Sequence, residues 1–365
     1  MIDFLKLFPG ISNETATFLH GLEDSIEVLS MKIAAKEYAV SIITMLSNIF
    51  HCAILLQKLL RGTSTNILML GIAISDILFP LYSIYIGIRN TLSAYCDPFP
   101  SFLVVWLELK LAAFSDFFRR TSSWIGICLA GVRVILVKFP MRAGTDRLST
   151  PSAGWLIILI VVLITSPLGI LRVFQNTVIS TVQKRATEIC PQFDENYTEV
   201  SYYGIESQLF YKNKAMVRRV YLVVNAVFSK VVPSILYPIF SFHLIRMIIS
   251  SKKKQASLMQ SQKKNGSTNT TKVVAIMTFF YFLCEFPIGV VYLIESVTTD
   301  YNAQLFITYF YFIASFFYTL FSSTPLLINL VLSSNYREAC RTMLCCGRIQ
   351  KMKQTVQFSE QPIRL

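Results

Sequence analysis

The stretch FLVVWLELKLAAFSDFFRRTSSWIGICLAGVRVILV, residues 102–137, decides the fold. A helix needs about 20 mainly apolar residues to cross a hydrocarbon core of roughly 30 Å, so this stretch is long enough to span a membrane at a tilt. It nevertheless carries six ionisable side chains. Each of these costs about 2.5–3.5 kcal/mol inside a bilayer, so they have to face a polar interior. The stretch therefore predicts a membrane helix inside a bundle.

The composition of the whole chain agrees with a membrane protein. Of its 365 residues, 53% are apolar and only 15% are charged, whereas soluble proteins carry about 25% charged residues. The net charge of +13 is compatible with nucleic-acid binding when it is taken alone. In a membrane protein such an excess is typical of cytoplasmic loops, so no nucleic-acid partner is predicted.

Apolar runs of this length recur along the chain. Seven are predicted to cross the membrane, and they are named spans one to seven in chain order: 38–60, 65–88, 102–137, 154–171, 217–249, 273–294 and 305–332. The side of the membrane that is richer in Lys and Arg is the cytoplasmic side. With the N-terminus outside, the cytoplasmic segments hold 18 of these residues and the outer segments 11. The sequence predicts an all-α, seven-transmembrane helix bundle with its N-terminus outside.

The two ends of the chain are polar. The chain divides into an extracellular tail, 1–37, a seven-helix domain, 38–346, and a cytoplasmic tail, 347–365. After span seven, residues 335–344 can form a short amphipathic helix. It ends at Cys345 and Cys346, which are predicted to be palmitoylated and so to contact membrane lipid.

Metal and enzyme chemistry find little support. The three histidines lie far apart, without an H-E-x-x-H motif or a Cys/His cluster near them, so no metal site or other cofactor is predicted. No nucleophile stands beside a base in the pattern of a membrane enzyme. The chain is therefore not predicted to be an enzyme.

The predicted outer loops hold candidate modification sites. Cys96 and Cys190 each lie alone in an outer loop, where they either form a disulfide or remain two unpaired thiols. The sequons at Asn13 and Asn196 are also outside and are predicted to carry glycan.

Span three carries one polar stripe. At 100° per residue, Ser115, Ser122, Glu108 and Arg119 lie within about 40° of Arg133 around the helix axis. Such a stripe indicates a bundle interior with a water-lined cavity. Glu108 and Arg119 are predicted to line a ligand cavity, although mutual neutralisation of charges is the alternative.

Other polar residues lie off this stripe. Asp116 precedes Arg120 by four residues, the spacing of an intrahelical ion pair, which is the favoured role of Asp116 over ligand binding. Asn48 in span one and Asp76 in span two are predicted to form a polar centre, or else to join helices through hydrogen bonds.

Span six combines a charge with a kink. Pro287 is predicted to bend the helix and to make a hinge. Glu285 precedes the bend, where its carboxylate either senses a cationic ligand or pairs with Arg119 or Lys230.

Landmarks in every span resemble those of rhodopsin-like G-protein-coupled receptors: Asn48, the stretch from Leu70 to Asp76, Arg133 followed by Pro140 and Met141, Trp155, Pro233, Pro287 and Pro325. Four motifs also resemble serpentine receptor class w, nematode relatives of FMRFamide-type neuropeptide receptors. These motifs are FFRRTSSW at 117–124, VKFP at 137–140, EFPIG at 285–289 and SSNYR at 333–337.

The resemblance implies a plasma-membrane receptor that activates a heterotrimeric G protein. Its extracellular ligand is then a short FMRFamide-like neuropeptide, held by Glu108, Asp116, Arg119 and Glu285, and an outer-loop disulfide joins Cys96 to Cys190. The residues of the switch and of G-protein coupling are Arg133, Pro140, Met141, Pro287 and Pro325. A chemosensory receptor for a small molecule is the alternative, and a secondary transporter is a third.

Three positions depart from the receptor pattern. Val132 replaces the usual acidic residue before Arg133, Ile328 replaces the usual tyrosine of span seven, and Glu285 replaces the usual tryptophan near Pro287. The activation switch is therefore expected to differ from the common one. Span seven also has no lysine, which excludes a retinal Schiff base.

Overall fold

The computed structural model describes residues 12–93, 96–139, 143–184, 197–258, 282–283, 285–297 and 301–344. Pro140, Met141, Cys190, Asn196, Cys345 and Cys346 lie outside the described residues, so the roles assigned to them stay predictions.

The described chain is a bundle of long helices, which confirms the all-α prediction. Six of them are long and apolar enough to cross a membrane, and they correspond to spans one to five and span seven: Asn13–Leu55, Ser64–Leu92, Phe102–Lys138, Pro151–Gln175, Ala215–Met247 and Thr308–Val331. Part of the predicted sixth span lies outside the described residues. Its described part is helical over 285–297.

Several spans are built from consecutive helical pieces. Span two comprises Ser64–Leu78 and Leu81–Leu92, with Pro80 at the junction. Span five comprises Gln208–Ala226, a π-helical turn at Val227–Val231, and Val232–Leu258. Span seven comprises Tyr301–Ser322 and Thr324–Leu332. In addition, a short helix, Ala143–Ser149, precedes span four.

Span one begins well before the predicted boundary at residue 38. Its helix starts at Asn13, where the Ser12 hydroxyl accepts a hydrogen bond from the Thr15 backbone N–H. Glu23, Ser30 and Glu37 recur every seven residues and are buried on one face of this extension. A hydropathy count stops at such polar residues, whereas the helix continues because that face packs against the bundle.

The inner end of the bundle holds the main apolar core. Ile54, Leu68, Ile125 and Val132 are buried together there. The helix Ser334–Leu344 covers this core with Tyr336, Ala339 and Cys340, which confirms the predicted amphipathic helix. Tyr336 also hydrogen-bonds His51 of span one, with 2.5 Å between the hydroxyl and Nδ1.

A β-hairpin between spans four and five was not predicted. Strand β1, Asn176–Lys184, pairs antiparallel with β2, Thr198–Glu206. Both strands are rich in Val, Ile, Thr and Tyr, the residues that favour extended backbone. The hairpin lies against the outer end of span three, where the ring of Tyr202 meets that of Phe102 edge to face at 6.0 Å between centroids.

Candidate functional site

The polar stripe of span three faces the bundle, as its helical spacing predicted. The Ser115 hydroxyl donates to the Phe79 carbonyl at 2.6 Å, beside the junction in span two. Seven residues, or about two helical turns, further along, the Ser122 hydroxyl donates to Asp76 at 2.7 Å. These bonds satisfy buried polar groups and fix span three against span two.

Glu108 and Arg133 mark the two ends of the stripe. Glu108 forms an ion pair with Arg89, at the outer end of span two. Arg133 makes a weak contact, 3.6 Å from its Nη2 to the Met69 sulfur, and lies within electrostatic reach of Tyr237 on span five. Among the described residues, no carboxylate forms an ion pair with Arg133.

Glu285 lies at the centre of the buried charges and joins three spans. Arg119 of span three donates from Nε to Glu285 Oε1 at 2.9 Å. Lys230 Nζ of span five lies 2.9 Å from the other carboxylate oxygen. All three side chains are almost completely buried, so Glu285 takes the pairing role that the sequence left open.

Arg120 organises a second group of polar residues on the neighbouring face of span three, about 100° around the helix from Arg119. Its guanidinium pairs with Asp116, as the spacing of four residues predicted. It also donates to Ser229 at 2.7 Å and to Asn225 at 3.1 Å, both on span five. We refer to Asp116, Arg119, Arg120, Lys230 and Glu285 together as the central charge cluster.

Two local features bring span five into this cluster. The π-helical turn Val227–Val231 contains Ser229 and Lys230, and such turns often occur at functional sites because they redirect side chains. On span six, Gly289 allows a close approach, since a Cβ atom there would lie 3.0 Å from the Lys230 Cβ. Small residues permit this contact between membrane helices.

The central charge cluster carries a positive excess. It combines three cations with two carboxylates. Arg172, at the outer end of span four, also lies within electrostatic reach of Asp116. The sequence identified charged residues within single spans, but their spacing along the chain could not show that they meet in one cluster.

Asn48 and Asp76 serve separate contacts rather than one shared bond. The Asn48 amide donates to the Ser322 carbonyl at 3.2 Å and so joins span one to span seven. Asp76 accepts from Ser122 of span three. Both side chains are buried and act as hydrogen-bonded links between helices, and a polar centre shared by the two stays a prediction.

Glu37 was missed by the sequence reasoning. It is buried, and its Oε1 accepts from Ser83 of span two at 3.2 Å and from Ser315 of span seven at 3.4 Å. The seven-residue spacing of Glu23, Ser30 and Glu37 is the signal that could have identified it.

The two proline landmarks lie in spans six and seven, and the bend predicted at Pro287 stays a prediction. Pro325 stands in the first turn of Thr324–Leu332, directly after the interruption of span seven. Pro287 lies within the helical segment 285–297, two residues after Glu285. Pro287 also borders an apolar cavity of about 420 Å³ between spans six and seven.

Cys96 is disulfide-bonded. Its predicted partner, Cys190, lies outside the described residues, so their pairing stays a prediction. Peptide mapping of the unreduced protein by mass spectrometry is expected to yield a cross-linked peptide containing Cys96 and Cys190. Cys52 and Cys128 are free thiols and serve as internal controls that alkylate after unfolding. Recovery of both Cys96 and Cys190 in alkylated form would contradict the pairing.

Comparison with known proteins gives one family. The family model described as serpentine type 7TM GPCR chemoreceptor Srw matches residues 35–347. This match spans all seven predicted helices and ends just beyond the amphipathic helix. No curated protein matches the chain.

Proposed function

Since the chain belongs to the Srw family of serpentine seven-transmembrane chemoreceptors, which are G-protein-coupled receptors, we propose that its ligand is a short extracellular peptide. The receptor resides in the plasma membrane and passes the signal to a heterotrimeric G protein. The family is a receptor class and not an enzyme class, and its members are multi-pass membrane proteins with an extracellular ligand.

The hairpin at the outer end of the bundle is the observation that carries the peptide proposal. In the described part of the chain it is a sheet of two strands, so each strand has one edge without a neighbour. An extended peptide can add to such an edge through backbone hydrogen bonds while its side chains occupy nearby pockets. Val200 and Tyr203 leave apolar surface exposed there for peptide side chains.

The signal is proposed to pass through the central charge cluster. A ligand shifts the equilibrium between inactive and active packings only by its difference in affinity for the two. Glu285 ties span six to spans three and five, so a ligand that alters these ion pairs alters the packing of all three. Pro287, two residues after Glu285, is proposed to provide the bend, and Arg133 is proposed to meet the G protein at the inner end.

A small-molecule chemosensory ligand is the second candidate. The description of the family as chemoreceptors favours it. A small molecule can reach the charge cluster without contacting the hairpin, whereas a peptide is long enough to contact both. The two candidates therefore differ in their dependence on the hairpin.

Screening a short-peptide library and a small-molecule odorant panel against cells that express the receptor and a promiscuous G protein tests the proposal. We expect peptides to be the active class. Tyr203→Ser should reduce the potency of an active peptide about tenfold or more, because a buried aromatic contact contributes about 1.5–3 kcal/mol.

Phe18→Ser is the matched control, since Phe18 is an exposed aromatic residue on the extension of span one, outside the hairpin. It should leave potency unchanged. Activation by odorants alone, with equal potency on the Tyr203→Ser receptor, would replace the peptide proposal with the chemosensory one.

A further inference from the structure

We propose that the ligand contributes a carboxylate, which binds to the cationic side of the central charge cluster. This inference rests on the proposed function in one respect, namely that a ligand enters the bundle from outside. It reverses the ligand charge considered from the sequence at Glu285, where one of the two interpretations was a sensor of a cationic ligand.

The carboxylates of the protein are already paired. Glu285 is held by both Arg119 and Lys230, Asp116 by Arg120, and Glu108 by Arg89. At Glu285 and Asp116, a cationic ligand group would have to displace a protein cation and leave it buried without a counter-charge. Such an exchange is unfavourable in a low-dielectric interior.

The cations, by contrast, are in excess. Arg119, Arg120, Lys230 and Arg172 act on Asp116 together, and Glu285 supplies one further negative charge. Glu37 is a further carboxylate within reach of Arg119, and it is held by hydroxyl groups of two neighbouring spans. Even when Glu37 is counted as ionised, four cations face three carboxylates among the described residues of this site. One anion is needed to balance the charge.

Arg119 has a free donor for that anion. Its Nη1 is buried and has no hydrogen-bond partner in the described part of the chain. The guanidinium stacks over the ring of Tyr318, with 4.2 Å between Cζ and the ring centroid, and this contact fixes its plane. A carboxylate is the group that matches unused guanidinium donors best, because its oxygens accept two parallel hydrogen bonds.

Aromatic residues surround the same place. Tyr311 lies near Arg119, with 5.9 Å from Cζ to the ring centroid, and is within electrostatic reach of Arg172. The ring of Tyr292 is 6.2 Å from that of Tyr311. The recognised group is therefore a carboxylate next to an apolar or aromatic substituent, such as the free C-terminus of a peptide that ends in an aromatic residue.

Thermal unfolding of the purified full-length receptor in detergent tests this inference without any G protein. The probes are N-acetyl-phenylalanine and its amide, which share shape and size but differ in charge, at equal ionic strength and pH 7. The acid is expected to raise the Tm by about 2 °C or more at saturating concentration, and the amide to leave it unchanged.

Arg119→Gln should abolish the Tm shift. If that variant does not fold, Arg172→Gln, at a less buried position, takes its place and should weaken the binding of the acid about tenfold. Lys110→Gln removes one outer cation of span three, whose Nζ contacts the Val173 carbonyl, and should retain the shift. An equal shift with the amide, or none with the acid, would overturn the inference.

The same measurement separates this inference from the proposed function. A Tm shift with the acid in a receptor that no peptide activates would support the carboxylate site and contradict the peptide proposal. Peptides that activate equally well with free or amidated C-termini, together with no Tm shift, would support the peptide proposal and contradict the carboxylate site.

Discussion

Glu285→Leu is expected to remove most of the receptor from the cell surface. The substitution leaves Arg119 and Lys230 buried without their shared counter-charge. Breaking a buried ion pair from one side costs about 3–5 kcal/mol, a large part of the roughly 5–15 kcal/mol that stabilises a folded domain. Flow cytometry on an N-terminally tagged receptor measures the surface level, and thermal unfolding in detergent measures the stability.

Two matched variants show whether the loss comes from unpaired charge. Glu295→Leu removes a half-buried carboxylate of the same span, paired with Arg218, and should cost at most about 1 kcal/mol. The triple substitution of Arg119, Lys230 and Glu285 by Leu removes these three charges and should restore surface expression, because an apolar contact of similar volume replaces them while Asp116 and Arg120 stay paired. Wild-type surface level and Tm for Glu285→Leu alone would show that the cluster does not hold the bundle together.

The fold was largely predictable because the membrane restricts the possible structures. Hydrocarbon demands long apolar helices, and these are visible as apolar runs. The extension of span one and the hairpin were missed, since both lie where water is available and hydropathy no longer discriminates. Glu23, Ser30 and Glu37 interrupt the apolar count although they belong to the same helix.

The candidate site was predictable residue by residue but not as an assembly. Helical geometry placed Ser115, Ser122 and Arg119 on one face, and the contacts of these residues agree. Spacing within one helix also predicted the pair of Asp116 and Arg120. The double pairing of Glu285 depends on the positions of three helices and on the π-helical turn that contains Lys230, which no local pattern indicates.

Arg133→Ala is expected to abolish most G-protein activation while surface expression and agonist affinity stay near wild type. Within the described residues no carboxylate forms an ion pair with Arg133. Its guanidinium lies 3.6 Å from the Met69 sulfur and within electrostatic reach of Tyr237 on span five, so folding gains little from its charge. A guanidinium held in this way at the inner end of span three is available to carbonyl or carboxylate groups of a partner. Loss of charged hydrogen bonds worth about 1.5–3 kcal/mol lowers coupling about ten- to a hundredfold.

G-protein recruitment, normalised to the surface level and driven by an active peptide from the library, measures the effect of Arg133→Ala. Lys58→Ala removes another cation near the inner ends of the spans, on an exposed side chain, and should signal normally.

Because Val132 is packed into the apolar core, it cannot form the acidic lock that usually restrains this arginine. Basal activity should therefore also fall in Arg133→Ala, since Arg133 is free to meet the G protein without agonist. Wild-type recruitment by a surface-expressed Arg133→Ala receptor, across several G-protein subtypes, would show that the arginine only reaches toward the inner lipid headgroups.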